Sequence, residues 1–571
     1  MPASQSARDA RAADGRLPIV VGVTGHRHLR PEDLPAYRAR VIELFGGLRE
    51  RYPATPLRII SALAAGADRL VAEVALEHGH ELIVPLPLEP ADYERDFPQT
   101  VAEFRAILEQ VPSERVFVWP RSEAPTMADA SGRSIQSAPA AVRDRRYAEV
   151  GAFVAEQCHI LLAIWDGAPS EGEDTSAGTA AVVALKLGHA GGARRAAAVL
   201  DPADTGPVFH VHAVRAGSHA APPDRVDWLF PEDGDAALFH TVCTRLDRFN
   251  SEPLRAGIQP QVADAANALL PGIEGGARDL ALAAAFAYAD CLAAHYQRIT
   301  HRVMRLTLLL AAAMALLFEI YAEVLPVRPV PVGYLACFAL LTVVLFWHRR
   351  LDAQGRYLDY RALAEGLRVQ FYWRLAGLSD NASSSYLRKQ LDELRWIREA
   401  LRATGAVPAP PTAQPELALK CWVHGQATYY AQRARQHEQR MRGIERYSQV
   451  FLALGLLSAL SLVVFWRALE GLTGWHHWAV LVMGFAPVAA ALWEAYGERL
   501  GARTQANQYA RFATIFRRAE RFIEGLEREA PNASRREREY AVLRDLGREA
   551  LIENADWVLL LRDRPIALPK G

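Results

Sequence analysis

The chain has 571 residues, and its 65 Lys+Arg against 65 Asp+Glu leave a formal net charge of zero. That length allows about three folding units. A hydrophobic share of 51% with 23% charged residues excludes wholesale disorder and collagen-like repeats. Zero net charge argues against a protein that grips nucleic acid along its whole surface. The cysteines (Cys158, Cys243, Cys291, Cys337 and Cys421) show no CxxC spacing, which speaks against a disulfide framework or a zinc knuckle.

Residues 1–16 are rich in Ala, Ser, Arg and Asp and hold no apolar stretch of signal-peptide length. They read as a disordered leader that leaves the following domain in the cytosol. From Leu17 onward short β-branched runs alternate with helical stretches. LPIVVGVTG reads as a strand, Asp33–Arg51 as a helix, LRIISAL as a strand and Ala67–His78 as a helix. ELIVPLPL (strand), Ala91–Glu109 (helix), ERVFVWP (strand), Val142–Gln157 (helix) and HILLAIWDG (strand) follow. This rhythm predicts an α/β domain over 17–252, a parallel sheet with helices on both faces. Within it, VFHVHAVR reads as a further strand, whereas the Pro/Gly/Asp-rich stretches around it read as loops.

In such sheets ligands bind at the carboxyl ends of the strands, and three Gly-containing turns fall there. The first holds Gly22, Thr24, Gly25, His26 and Arg27; its glycines allow close backbone approach and its polar side chains can donate hydrogen bonds. It matches neither GxxxxGK[ST] nor the full GxGxxG pattern. The second runs from Ser61 through Gly66 to Asp68 and opens a helix, where free backbone N–H groups suit an anion and Asp68 can cap. The third combines Asp166 at the end of a strand with Gly178 and Thr179 before another helix. Each turn alone has an ordinary structural reading; three at one rim predict a ligand site. No catalytic residue and no metal ligand set is assigned, and His159, which heads a strand, reads as structural.

Beyond about residue 300 the composition changes. Apolar runs fall at about 304–325 (uncharged between Arg305 and Glu319), 329–347, 447–466 and 475–493, bordered by Trp347, Trp466, Trp475, Trp478 and Trp493. A bilayer core of about 30 Å needs about 20 helical residues, so these predict four membrane spans in two hairpins. Arg298, Arg302, Arg305, Arg349 and Arg350 flank the first hairpin; Arg440, Arg442, Arg446, Arg499 and Arg503 flank the second. The two hairpin loops hold only Arg328 and Arg467, so the positive-inside rule places both loops outside and both termini in the cytoplasm. Glu319 and Glu323 lie one turn apart near the outer end of the first span. They read either as an acidic pore lining in an oligomer or as interfacial carboxylates meeting water.

Polar helical stretches (Asp279–Arg302, Gln354–Leu375, Tyr386–Thr404 and Leu417–Arg446) extend the spans into a cytosolic bundle, with a Pro-rich break at Pro408–Pro415. The two halves, 270–405 and 416–566, look like copies. Setting Tyr360 on Tyr509, an offset of about 149 residues, also pairs Ala364 with Ala513, Leu367 with Phe516 and Arg368 with Arg517.

VGVTGHR, SALAAGADR and LLAIWDG followed by a Gly-Thr turn, with PLPLEPADYERDF in support, resemble the SLOG superfamily of nucleotide-sensing Rossmann-like domains. That superfamily is related to the cytokinin-activating phosphoribohydrolases and the bacterial DNA-processing protein A family. YRALAEGLR, QLDELRWIREAL and LGREALIENADWVLLLRDRP, flanking hairpins, resemble SLATT membrane domains. The resemblance implies a membrane effector of bacterial antiphage or conflict defence that senses a nucleotide messenger and gates or assembles a pore as a homo-oligomer. It implies the lipid bilayer and a nucleotide-type small molecule as partners, an inner-membrane location, and no cofactor beyond that ligand. The phosphoribohydrolase relatives carry PGGxGTxxE at the last turn. Here EDTSAGTAAVV keeps Gly178 and Thr179 but has Ala181 and Val182 in the acidic region. Binding is therefore expected over hydrolysis, with a membrane-anchored nucleotide N-glycosidase or related hydrolase as the alternative.

Overall fold

The computed structural model describes residues 14–119, 140–168, 178–189, 205–214, 225–232, 234–269, 277–386, 394–407, 413–465, 473–499, 502–529 and 532–562. Most of the expected leader, residues 408–412 of the Pro-rich break and residues 387–393 of the expected Tyr386–Thr404 helix lie outside them. The chain forms two compact units: Met1–Tyr288 with Gly366–Ala413, and Ala289–Glu365 with Gln414–Gly571.

The first unit is built on a seven-stranded sheet: β1 (Ile19–Gly25), β2 (Leu57–Ile60), β3 (Glu81–Leu86), β4 (Val116–Val118), β5 (Ile160–Trp165), β6 (Val208–His212) and β7 (Val226–Leu229). Its order is β4-β3-β2-β1-β5-β6-β7; β1 to β6 are parallel and β7 pairs antiparallel with β6. The connecting helices are α1 (Leu34–Arg51), α2 (Ala67–Glu77), α3 (Val101–Glu109), α4 (Ala140–Gln157), α5 (Thr179–Leu187), α6 (Ala236–Arg255) and α7 (Gln259–Leu269). The unbroken apolar runs of β1 and β5 take the central places, as strands buried on both faces require; Ile19, Val20, Val21 and Ile160 through Ile164 are fully buried. The chain steps outward from β1 to β4, then crosses back to start again at β5 on the other side of β1. That reversal opens a crevice at the carboxyl ends of β1 and β5.

Two expectations are corrected here. The single helix read over Ala91–Glu109 is a helical turn at Pro90–Tyr93, a 3₁₀ turn at Glu94–Asp96 and then α3. Pro98 has no N–H to continue a helix, and it drives Phe97 to an extended φ of −146°. The loop-like stretch after β6 contains β7, a short edge strand too polar to signal itself by alternation.

A later stretch of the chain, Gly366–Ala413, returns to this unit. Helix Arg395–Thr404 is buried almost all round, and Ala403, Ala406 and Val407 join the core formed by Val20, Ile60, Leu161 and Val208. From sequence these residues belong with the first hairpin half (270–405); in the structure they complete the sheet's core.

The second unit carries four helices long and apolar enough to cross a membrane, within Asp279–Val324, Pro329–Ala376, Pro415–Val464 and Gly474–Arg499. Leu335, Leu456 and Val463 stand more than 60% exposed, as lipid-facing side chains do. The helices also meet one another. Met304 and Leu310 of the first pack with Leu341 and Leu345 of the second, and Met441 and Tyr496 join them from the third and fourth. Gly455 faces Pro487, and the Ser458 hydroxyl donates to the Ala479 carbonyl at 2.6 Å, joining the third and fourth helices. Ser461 bonds back to the Ser458 carbonyl within its own helix. At the positions matched in sequence on helices Ala353–Ala376 and Ala502–Glu527, Ala364 and Ala513, and Leu367 and Phe516, are all buried, Leu367 lying in the part of the chain that belongs to the first unit.

Candidate functional site

The rim of the crevice is held by His26. Its backbone N–H donates to the Ile164 carbonyl at 3.0 Å, and its own carbonyl accepts from the Ala67 N–H at 3.1 Å. Its Nε2 accepts from the Asp166 N–H at 3.0 Å and lies 3.3 Å from Asp166 Oδ2. One residue thus ties together the ends of β1 and β5 and the start of α2. Asp166 Oδ1 accepts from the Ala168 N–H at 3.0 Å, which fixes the turn after β5.

The glycines divide by what surrounds them. Gly22 is a packing residue within β1: a Cβ there would come within 2.8 Å of Val154 and 2.9 Å of Cys158, so it lies away from the rim, under α4. At Gly25 a Cβ would lie 2.5 Å from Ala67 Cβ and from the Ile164 carbonyl oxygen. Gly66, with φ +82°, would drive a Cβ into the backbone carbonyls of His26 and Arg27. These two glycines let the β1 turn and the start of α2 interlock. Gly178, with φ +136°, has no described residue within 4 Å of where a Cβ would sit, and it precedes Thr179, the first residue of α5. Because α5 follows β5 and leads to the parallel β6, its N-terminus belongs to the carboxyl rim. Thr24 pairs in register with Ala163 just below that rim.

The turn after β2 is already satisfied from within. Ser61 Oγ donates to the Asp68 carbonyl at 3.0 Å and accepts the Leu63 N–H at 3.2 Å. Leu63 adopts φ +56°, a strained conformation for a branched side chain. Asp68 is 6% exposed, and its carboxyl faces the backbone N–H groups of Ala64 and Ala62. Burial raises its pKa to about 7, although the Ala64 N–H, Arg27, Arg69 and the Ala62 N–H all favour the ionised form. Several amides expected to face an anion therefore belong to Ser61 and Asp68.

Arg27 is exposed, with its guanidinium 4.8 Å from the centre of the Tyr147 ring. Tyr147 and Arg143, both on α4, bond to Asp96. Tyr93 is buried nearby, edge-on to Phe97 at 5.0 Å. Burial pushes both phenols well above the usual range, so Tyr93 and Tyr147 remain donors. Arg69 lies 4.2 Å over the Phe97 ring and donates to the Leu63 and Thr100 carbonyls at 3.1 and 2.9 Å. The wall beside Arg27 thus comes from PLPLEPADYERDF and α4. Sequence reading singled out that segment but not Tyr93, Asp96, Arg143, Tyr147 or Arg69, because nothing local relates α4 to the turn after β3.

A second cleft lies at the opposite, amino edge of the sheet, lined by His159, Gly206, Pro207, Phe230, Phe239, Arg395 and Glu399. Its charged floor is internally paired, so we place the candidate site at the carboxyl rim. In the second unit, Glu319 is packed against Gly484, where a Cβ would lie 2.5 Å from its carboxylate. It faces the neighbouring helix, and beyond it the backbone widens into a π-helical turn over Ile320–Val324, which includes Glu323.

No family model, no curated protein and no solved structure matches this chain.

The buried Asp68 gives the site a measurable pH signature. Its folded pKa of about 7 exceeds the ordinary 3.8, so the native state holds this proton longer than the unfolded chain does. Its contribution to stability is full below pH 3.8 and is lost as pH rises to about 7. Between pH 5 and 7 the wild type should lose stability relative to Asp68→Asn, by up to about 1.4 kcal/mol per pH unit. Urea denaturation of both proteins across that range tests this; parallel pH profiles would show that the carboxyl is not desolvated.

Proposed function

We propose that this protein is a membrane effector that binds a nucleotide or nucleotide-derived messenger at a Rossmann-like carboxyl rim and gates or assembles a transmembrane pore. The observation that carries the reading is the crevice itself. At the strand-order reversal, His26 and Asp166 close the floor, exposed Arg27 stacks on Tyr147 beside it, and four membrane-length helices belong to the same chain. Arg27 supplies the charge for a phosphate and Tyr147 a π-face for a base. The Gly178 turn at the start of α5 offers backbone amides and a positive dipole end. The resemblance to SLOG and SLATT domains supports the same reading, with the lipid bilayer as partner, function as a homo-oligomer in conflict defence, and termini in the cytoplasm. A ligand biases the membrane part only in so far as it prefers one state of the protein.

The hydrolytic alternative has one residue in its favour, the carboxyl of Asp68 with its pKa near neutrality. That carboxyl lies beneath the turn and is held by backbone, so it is poorly placed to touch a sugar. Sensing is the better-supported function.

Arg27→Ala should weaken nucleotide binding about 10–100-fold, the worth of a charged hydrogen bond, while leaving stability within about 0.5 kcal/mol, because the side chain is exposed. Calorimetric titration of the detergent-solubilised chain with cyclic and linear nucleotides, including ADP-ribose derivatives, measures the first effect. Ion flux from liposomes with the same ligands tests gating. Intact protein that neither binds nor conducts with any of them would defeat the proposal.

A further inference from the structure

Strand β6 and its edge partner β7 carry a cluster of titratable side chains outside the crevice. His210 and His212 alternate along β6 and so share one face, and His210 lies opposite Asp227 in the antiparallel pairing with β7. The imidazole centroids are 3.9 Å apart, and His212 Nε2 is 2.8 Å from Asp227 Oδ2. One ligand atom from each of His210, His212 and Asp227 lies within 4.8 Å of the other two. In a tetrahedral zinc site with bonds of about 2.0–2.1 Å, ligand atoms sit about 3.3 Å apart; the ion would take the place of the proton that His212 Nε2 shares with Asp227 Oδ2.

The second observation concerns the proton on His210. Its Nε2 lies 3.0 Å from the Trp165 carbonyl oxygen. A carbonyl only accepts, so the proton sits on Nε2 and the Nδ1 lone pair is the one left to bind. A histidine whose other nitrogen donates to a backbone carbonyl is the arrangement that orients metal ligands. Gly167, with φ +79°, lies beside this ring; a Cβ there would sit 3.6 Å from His210 Cε1.

We propose that His210, His212 and Asp227 form a binding site for a divalent transition metal of the zinc class, at the carboxyl end of β6 and one strand from the crevice. Two imidazoles and one carboxylate leave positions open for water or a ligand oxygen. Arg225 Nε lies 2.8 Å from Asp227 Oδ2 and competes with the ion, but its side chain is 65% exposed and free to swing into solvent. The competition gives the test two opposite signs.

The full chain in detergent, stripped with chelator, is titrated with zinc against a chromophoric competitor, and with cobalt for its visible absorption. The wild type should bind one equivalent with tetrahedral cobalt bands. His212→Gln should lower affinity about 100-fold and abolish the bands. Arg225→Ala, an exposed change that leaves the fold intact, should raise affinity several-fold by releasing Asp227. Zinc should raise the melting temperature of the wild type and of Arg225→Ala but not of His212→Gln. Zinc binding that ignores His212→Gln, or a weaker site in Arg225→Ala, overturns the proposal, as does a wild type that binds no stoichiometric metal.

Discussion

Gly66→Ala is expected to destabilise the first unit by about 2–5 kcal/mol and to abolish ligand binding with it. Two costs add. The backbone at φ +82° and ψ −119° is one that only glycine adopts readily. The new methyl would also strike the carbonyl oxygens of His26 and Arg27. Neither carbonyl can step aside cheaply, since the first accepts the Ala67 N–H and both belong to a turn fastened to β5 through Ile164 and Asp166. Gly178→Ala is the control, because its φ of +136° is also unusual but no described residue lies within 4 Å of the added Cβ. It should cost only the conformational part, about 1 kcal/mol. Chemical denaturation followed by tryptophan fluorescence separates the two. Equal losses would mean that the β1 turn and the start of α2 do not interlock.

The strand–helix rhythm of the first half was readable because central strands buried on both faces must be continuous apolar runs, and VVGV and ILLAI are such runs. Edges were harder. β7 is four residues with an exposed Trp228, and its identity depends on β6 lying beside it. The glycines of the site were found by type but not by role: Gly22 and Gly25 look alike in sequence, yet one packs under α4 and the other meets Ala67. Which glycine a ligand approaches depends on what packs against it, and that partner is far away in the chain. The same holds for Arg27, whose companion Tyr147 lies beyond three more strands. Membrane-length helices were the most legible feature, because a bilayer sets a length and composition that a local window detects. The contact of Glu319 with Gly484 was not, since it joins the first such helix to the fourth.

Helix Arg395–Thr404 shows the same limit most sharply, and it carries the largest electrostatic prediction. Its apolar and charged residues alike are buried, and Glu399 is the hub. Arg402 Nη1 donates to Glu399 Oε2 at 2.8 Å, Arg395 lies 3.7 Å from Oε1, and His159 Nε2 lies 2.9 Å from the Glu399 carbonyl. Burial opposes ionisation of Glu399, but Arg402, His159, Arg395 and Lys186 outweigh it and bring its pKa down to about 2. Glu399→Ala removes the carboxylate to which Arg402, 2% exposed, donates, and takes a negative charge from the field of the fully buried Lys186; it should cost about 3–5 kcal/mol. Acid adds a signature. Glu399 stabilises the fold above its ordinary 4.5, and that contribution is lost as pH falls toward 2. His159, which burial lowers to about 4, stabilises as a neutral ring above 6.5, and its contribution is lost as pH falls from there to about 4. Asp68 has the opposite slope over much of that window, so wild type alone would show partial cancellation. Urea denaturation of Asp68→Asn should therefore reveal the full acid sensitivity between pH 6.5 and 4. Adding Glu399→Ala should remove the further loss below pH 4.5, and if that loss persists the carboxylate is not the group that holds this helix to the sheet.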